Sequence, residues 1–353
     1  MSDVKSGSDK GSNRVTIREV AARAGVDAST VSRALRRPAG TDATADRVRA
    51  IAEELGYRRD SAAAALRTRQ SRALGVLVPR LTDTVLATIY EAIEQKALEM
   101  EYQTIVACTY DRLDEQRRRV ALMLSRRVDG LILADAHLDR VYVDWVAERG
   151  VPFVLVNRRA GDYPAITTED YLGGKLAGNH LVDLGHKRVV VLAGLEWSSA
   201  TTERTAGCVT ALREHGIEVL PEHVEPSPLD PRSSCAAMER LLERRPDLTA
   251  VFAVDDLTAL GAMVALRAAG LRPGVNVAVV GYNDTSVGAT VELSTVRSHH
   301  EIVGALGTRT LLDLIAGHPV ESVRLAPELI VRGSSCPAPE TGVRSGRSDR
   351  AVE

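Results

Sequence analysis

Aromatic residues are scarce, making up 3% of the 353 residues with two phenylalanines and two tryptophans. That scarcity disfavours a ligand site in which a planar purine is sandwiched between rings. The four cysteines, Cys108, Cys208, Cys235 and Cys336, stand without metal-ligand spacing, and a chain this long buries its own core without a disulfide framework. Free thiols are expected, mostly buried, and no metal. No stretch approaches the roughly 18 apolar residues of a membrane span. Residues 1–13 lack an apolar run and read as a polar tail rather than a signal peptide, so a cytoplasmic protein away from membranes is expected. Missing too are G-x-G-x-x-G after a strand, a P-loop, a G-x-S-x-G elbow and any nucleophile and base at fixed spacing. No enzyme and no cofactor is expected.

Net charge is small, -2, but unevenly spread: residues 14–72 carry 13 basic against 7 acidic residues, leaving the remainder acidic. Attraction for phosphates therefore sits on the N-terminal segment. There, Thr16-Ile-Arg-Glu19 fits a capping box that starts a helix at Ile17, with Ile17, Val20, Ala21 and Ala24 on one face. Gly25-Val26-Asp27 supplies a turn glycine, a buried valine and an N-cap for a second helix from Ala28 to about Arg36. Small residues at Ala21 and Gly25 let the two helices cross closely, as a helix-turn-helix requires. Val31 and Leu35 face inward, while Ala28, Ser29, Thr30, Ser32 and Arg33 form a face suited to major-groove entry. A third helix over residues 43–55 closes this core and ends at Gly56.

The run Val15-Thr-Ile-Arg-Glu-Val-Ala-Ala-Arg-Ala-Gly-Val-Asp-Ala-Ser-Thr-Val-Ser-Arg-Ala-Leu35, then Glu54-Leu-Gly-Tyr57, resembles the LacI/GalR (lactose-repressor) transcription factors. The resemblance implies that Ala28, Ser29 and Arg33 carry much of the operator discrimination, and that Ser61-Ala-Ala-Ala-Ala-Leu66 is a hinge helix that orders on DNA. Four alanines favour a helix that is too short to be stable alone. Ala62 and Ala63 let two such helices pack at a minor groove, with Leu66 as an apolar wedge between base pairs. Arg58-Arg59-Asp60 replaces the proline and asparagine usual in the family and adds phosphate contact through Arg58 and Arg59. With Thr16 and Ile17 at the start of the first helix, the DNA-facing set is Thr16, Ile17, Ala28, Ser29, Thr30, Ser32, Arg33, Arg58, Ala62, Ala63 and Leu66.

From residue 73 short apolar runs alternate with amphipathic stretches. Strands are expected at residues 73–78, 104–107, 130–133 and 153–156, and after about Asp170 at 189–192, 250–253 and 277–280: two doubly wound α/β lobes. The fold expected is an all-α helix-turn-helix head and hinge (14–57 and 58–72), then an α/β periplasmic-binding-protein-like core of two lobes (73–336), with tails at 1–13 and 337–353. Ligands bind at strand ends facing a cleft. Polar residues stand at five such ends: Asp83, Asp135, Asn157, Asp255-Asp256 with Asp256 read as a helix N-cap, and Asn283-Asp284. The resemblance continues through Gly185-His-Lys-Arg-Val189, Arg204-Thr-Ala-Gly207, Val254-Asp-Asp-Leu-Thr-Ala-Leu-Gly261 and Val279-Val-Gly-Tyr-Asn-Asp284. It implies a small effector between the lobes, at Asn157, Asp170, Arg204, Asp255 and Asn283. Arg204 is the leading position, because a planar guanidinium grips vicinal hydroxyls or a carboxylate with two donors. Asp255 and Asn283 depart from the family by exchanging amide and acid. Tyr110, Trp197 and His300 approach the cleft and are read as packing. A sugar or polyol fits this inventory, and a cationic ligand fits its carboxylates. The expected protein is a homodimeric repressor on near-palindromic operator DNA, with a protein corepressor or a solute-binding role as alternatives.

Overall fold

The computed structural model describes residues 15–35, 40, 42–57 and 70–337. The chain divides between Ser71 and Arg72 into two compact units.

The N-terminal unit holds three helices, α1 (Ile17–Ala24), α2 (Ala28–Ala34) and α3 (Ala43–Glu54). The capping box forms in full: Glu19 N–H donates to Thr16 Oγ1, and Thr16 N–H donates to Glu19 Oε2 at 2.8 Å. Gly25 caps α1 in the left-handed conformation, φ 66°, where a side chain would be strained. Asp27 then accepts from Thr30 N–H at 2.9 Å to open α2. The core is built from small and β-branched residues, Val20, Ala21, Ala24, Val31, Ala34, Ala45, Val48 and Ala52, so the helices approach closely. Two arginines of α3 fasten the other helices by their C-terminal carbonyls, Arg47 to Ala24 O at 3.1 Å and Arg49 to Ala34 O at 3.2 Å. Helix α2 ends two residues short of the expected Arg36, with Leu35 as its cap.

The larger unit has two lobes. Its first lobe contains β1 (Ala73–Val78), α4 (Thr84–Glu99), β2 (Gln103–Cys108), α5 (Leu113–Ser125), β3 (Gly130–Leu133), α6 (Val141–Ala147), β4 (Phe153–Val156) and β5 (Ala165–Thr168). The second contains α7 (Asp170–Asp183), β6 (Val189–Ala193), α8 (Ser199–Glu214), β7 (Val224–Pro226), α9 (Pro231–Arg244), β8 (Ala250–Ala253), α10 (Asp256–Ala268), β9 (Ala278–Val280), α11 (Ser286–Thr290) and β10 (Thr295–Arg297). The chain then returns to the first lobe for α12 (His300–Ile315) and β11 (Val323–Leu325), before β12 (Glu328–Ile330) pairs antiparallel with β10. The first sheet runs β11-β5-β4-β3-β1-β2 and the second β7-β6-β8-β9, each with parallel neighbours.

The long strands fall where the apolar runs put them. The return through α12 and β11 does not show in the sequence rhythm, because β5, β7, β10, β11 and β12 are three or four residues long and several mix charge with apolar positions. The links between the lobes are bonded to one another: Thr168 Oγ1 donates to Ser298 O at 3.0 Å, and Glu169 N–H to Leu325 O at 2.9 Å. Among the described residues no helix is long and apolar enough to cross a membrane.

Candidate effector cleft and DNA-reading helix

On α2, Ser29 and Arg33 are exposed and Ala28 and Thr30 half-buried, forming one face. Arg33 Nη2 donates to Thr30 Oγ1 at 3.3 Å, one turn back along the helix. The Ser29 hydroxyl, the Thr30 amide and the Thr30 hydroxyl donate to Asp27 and hold its carboxyl well below the ordinary range. The result is an anionic cap behind a face of neutral hydroxyls and one exposed arginine. Ser32 turns inward and is 8% exposed, which separates it from the other α2 positions expected to face DNA. Thr16 is exposed and engaged in the capping box, while Ile17 packs half-buried against the head core. Arg58, Ala62, Ala63 and Leu66 lie outside the described residues.

In the core, loops after β1, β2 and β4 face loops after β6 and β7 around a cavity of about 470 Å³. From the first lobe Arg80, Asp83, Tyr110, Asp111 and Arg158 line it; from the second, Trp197, Leu229, Asp230 and Leu257. Arg158 clamps Asp111 with two guanidinium nitrogens, at 2.7 and 3.3 Å. Burial opposes the Asp111 charge, but His137 and Arg158 outweigh it and hold the carboxyl at about 2. Tyr110 and Asp111 both sit at positive φ, 58° and 54°, conformations that bulky residues keep only where the surroundings impose them. Over the cavity the lobes touch: Leu138 N–H donates to Trp197 O at 2.9 Å, and the His137 ring lies 5.8 Å from the Trp197 ring.

Arg204 enters from α8. Its Nε donates to Asp170 Oδ1 at 2.7 Å, its Nη1 to Val254 O at 3.0 Å, and its guanidinium lies 3.8 Å from the Tyr282 ring centre. Two glycines permit this placement, because a Cβ on Gly174 would come within 2.1 Å of Arg204 O and one on Gly207 within 2.0 Å of Tyr171 O. Helices α7 and α8 therefore cross backbone to backbone, which brings Asp170 and Arg204 together. Burial pushes the Asp170 carboxyl up and Arg204 pulls it down. The Arg204 charge also reaches Asp83 and His300.

The other expected residues are placed as follows. Asp83 caps α4, accepting from Val85 N–H at 2.9 Å, and burial pushes its carboxyl above the ordinary range. Asp135 is fully buried, accepts from Thr109 Oγ1 at 2.7 Å, and is pushed up to about 6 by burial. Asn157 directly follows β4 at φ 64° and is half-buried. Asn283 is 7% exposed, with Ser298 Oγ 3.4 Å from its Oδ1. Asp255, not Asp256, is the N-cap of α10: its backbone is extended, and its carboxylate accepts from Thr258 N–H at 2.6 Å. Burial pushes that carboxyl up to about 6. Asp256 instead gathers the Thr285 amide and hydroxyl and the Thr295 hydroxyl, tying the start of α10 to the N-cap of α11 and to β10.

Of the expected set, Asp83 lines the main cavity. Arg80, Tyr110, Asp111, Arg158, Trp197 and Asp230 were missed as lining residues. Arg158 follows Asn157, so the strand-end rule stops one residue short of it, whereas Tyr110 and Asp111 follow the end of β2, where the rule named no residue. Tyr110 and Trp197, read from sequence as packing, are 53% and 42% exposed and both face the cavity.

Residues 71–325 match the family model of periplasmic binding proteins and the sugar binding domain of the LacI family, and residues 16–60 match that of bacterial regulatory proteins of the lacI family. The HTH-type transcriptional regulator CelR of Thermobifida fusca is 33% identical over 338 residues, covering 91% of this chain and 98% of that protein. The HTH-type transcriptional repressor PurR of Serratia proteamaculans is 30% identical over 333 residues, covering 92% and 98%. Among solved structures, the transcriptional regulator CelR–cellobiose complex is similar with a TM-score of 0.70 at 31% identity, over 91% of this chain and 100% of that one. The Lac repressor dimer bound to operator and the anti-inducer ONPF gives 0.81 at 28% identity, over 92% and 100%.

Proposed function

We propose, from the premise that the chain belongs to the LacI family of bacterial regulatory proteins, that it is a carbohydrate-responsive repressor whose effector is an uncharged saccharide. As a member of that family it is a DNA-binding transcriptional regulator and not an enzyme. The observation that supports a saccharide is the main cavity, where a forked Arg158–Asp111 pair stands with the rings of Tyr110 and Trp197. A pyranose presents C–H bonds to aromatic faces and adjacent hydroxyls to paired donors and acceptors. The charge of Arg158 is spent on Asp111, which favours a neutral ligand. Similarity to a CelR–cellobiose complex points the same way.

On this reading two heads of a dimer grip a near-palindromic operator in the cytoplasm, with Ala28, Ser29, Thr30 and Arg33 toward the bases and the hinge residues Arg58, Ala62, Ala63 and Leu66 in the adjacent groove. Asp83, Asp135, Asn157, Asp170, Arg204, Asp255 and Asn283 set the cleft or its supports. Effector and operator affinities then change reciprocally, since a ligand moves an equilibrium only by binding its two states differently. The test is to capture genomic fragments with the full-length protein and repeat gel shifts with mono- and disaccharides. Sites beside saccharide transport or hydrolysis genes, and a saccharide-dependent shift in affinity, are the expected result. A shift produced only by a protein fraction would overturn the small-molecule reading.

A further inference from the structure

Asp27 stands at the head of α2, the helix whose exposed face carries Ser29 and Arg33, and its carboxylate collects three donors from the first turn. Oδ1 accepts from Ser29 Oγ and from Thr30 N–H, and Oδ2 accepts from Thr30 Oγ1 at 2.9 Å. These bonds hold the carboxyl well below the ordinary range, so it is ionised and can only accept. A hydroxyl has one proton. Those of Ser29 and Thr30 are both spent on Asp27, and each oxygen has only lone pairs left to offer. Thr30 Oγ1 gives one to Arg33 Nη2 at 3.3 Å, which lays the guanidinium along the helix face. Ser29 is exposed, and its oxygen presents an acceptor at the outer surface of the first turn.

Duplex DNA offers few partners to such a group. Phosphate oxygens only accept, and so do guanine N7 and O6 and thymine O4; the donors in the major groove are the amino groups of adenine and cytosine. The Asp27 charge acts in the same direction, because it repels phosphate and the acceptor edge of guanine. We propose that Ser29 reads the operator as an acceptor alone, selecting adenine or cytosine at one position of each half-site, and that Asp27 is the positioning residue that fixes its proton. Arg33, four residues on and a donor alone, supplies the complementary preference for guanine. The inference rests on α2 being the helix that reads operator DNA and adds which bases it accepts.

The experiment selects operators from a random-sequence duplex library with full-length wild type, Ser29→Ala, Asp27→Asn, Asp27→Gly and Arg33→Ala, after thermal melts have shown the variants folded. Gel shifts at fixed salt then compare the selected sites base by base. Wild type prefers adenine or cytosine over guanine and thymine by about tenfold at one position of each half-site, and Ser29→Ala reduces that preference to within about twofold. Asparagine and glycine are both accepted at an N-cap. Asp27→Asn keeps an oxygen that takes the Ser29 proton and retains the preference, whereas Asp27→Gly frees the proton and lets guanine or thymine in. A Ser29-dependent preference for guanine or thymine means that the hydroxyl donates on DNA and overturns the inference. A changed preference with Arg33→Ala but none with Ser29→Ala also overturns it, while leaving α2 as the reading helix. Retention of the preference in Asp27→Gly reduces Asp27 to a cap and overturns its positioning role. If neither Ser29→Ala nor Arg33→Ala alters any base preference, α2 does not read the operator and both readings fall together.

Discussion

Arg159 donates from Nε to Glu203 Oε1 at 2.7 Å, from the β4–β5 loop of the first lobe to α8 of the second. The other carboxylate oxygen of Glu203 accepts from Arg324 on β11, again of the first lobe. One carboxylate thus holds two points of the opposite lobe, and it directly precedes Arg204.

Glu203→Gln is expected to weaken effector binding, because it removes charge that favours the lobes being together. The arginines are about two-fifths exposed, so the pair is worth about 1 kcal/mol after screening, or roughly fivefold in affinity. Calorimetry at about 50 and 500 mM salt checks this, since the difference between variant and wild type shrinks as salt rises. An effect that does not depend on salt means Glu203 acts through packing.

Arg204 carries a different risk. Arg204→Ala leaves Asp170 buried with its carboxylate unpaired, and breaking a buried pair in this way costs about 3–5 kcal/mol. The single variant is therefore expected to melt several degrees lower, so loss of effector response in it would be ambiguous. Combining Arg204→Met with Asp170→Asn removes both charges and recovers most of the stability while the effector response stays lost. Melting curves and operator gel shifts with and without saccharide separate the two effects. A double variant that still responds to ligand would make Arg204 purely structural.

The contrast between Arg204 and Arg158 shows what the sequence could convey. Family resemblance and the chemistry of guanidinium pointed to Arg204, and glycines at 174 and 207 explain how two helices deliver it to Asp170. Arg158 carried no such signal: it is two residues past a strand end in a loop, and its partner Asp111 lies 47 positions away. Strand ends are legible because apolar runs are local, whereas the pairing of loops across a cleft depends on the tertiary fold. The same limit hid the return of the chain through α12, which brings His300 to the first lobe. The head was read more fully because its determinants, a capping box, a turn glycine and an N-cap aspartate, lie within four residues of what they act on.

Asp135 gives a pH-dependent prediction with a definite sign. Its carboxyl is raised from 3.8 to about 6 by burial, so the folded chain binds the proton more tightly than the unfolded chain. That contribution to stability is complete below about pH 4 and is lost as pH rises through about 6. Asp135→Asn removes the loss, so relative to wild type the variant gains about 2–3 kcal/mol between about pH 4 and pH 7.5. Urea melts across that range measure it as a difference, in which the opposing histidine contributions cancel. A difference that stays flat with pH would show that Asp135 is ionised throughout.

The two tryptophans provide an optical check on the cleft. Trp197 lines the main cavity, while Trp145 on α6 is stacked 3.3 Å from the Arg149 guanidinium carbon. Saccharide binding is expected to shift Trp197 emission and leave Trp145 unchanged. Trp145→Phe then keeps the signal, Trp197→Phe abolishes it while retaining a ring, and Trp197→Ala weakens binding by about tenfold through the lost aromatic face. Survival of the full signal in Trp197→Phe would put the ligand elsewhere.

On the head, Arg33 and Ser32 are adjacent in sequence but differ in exposure: Arg33 points outward and Ser32 is 8% exposed. Arg33→Ala is expected to cost about 1–3 kcal/mol of operator affinity and to relax the preference at one base pair per half-site, as loss of a forked guanine contact does. Ser32→Ala is expected to lower the melting temperature of the head while leaving base preference intact, because its hydroxyl faces the helix packing. Gel shifts against operators varied at single positions, run at fixed salt, distinguish these outcomes. Equal loss on every operator with Arg33→Ala would assign that arginine to phosphate. Changed base preference with Ser32→Ala would mean that α2 reorganises on DNA and turns this serine outward.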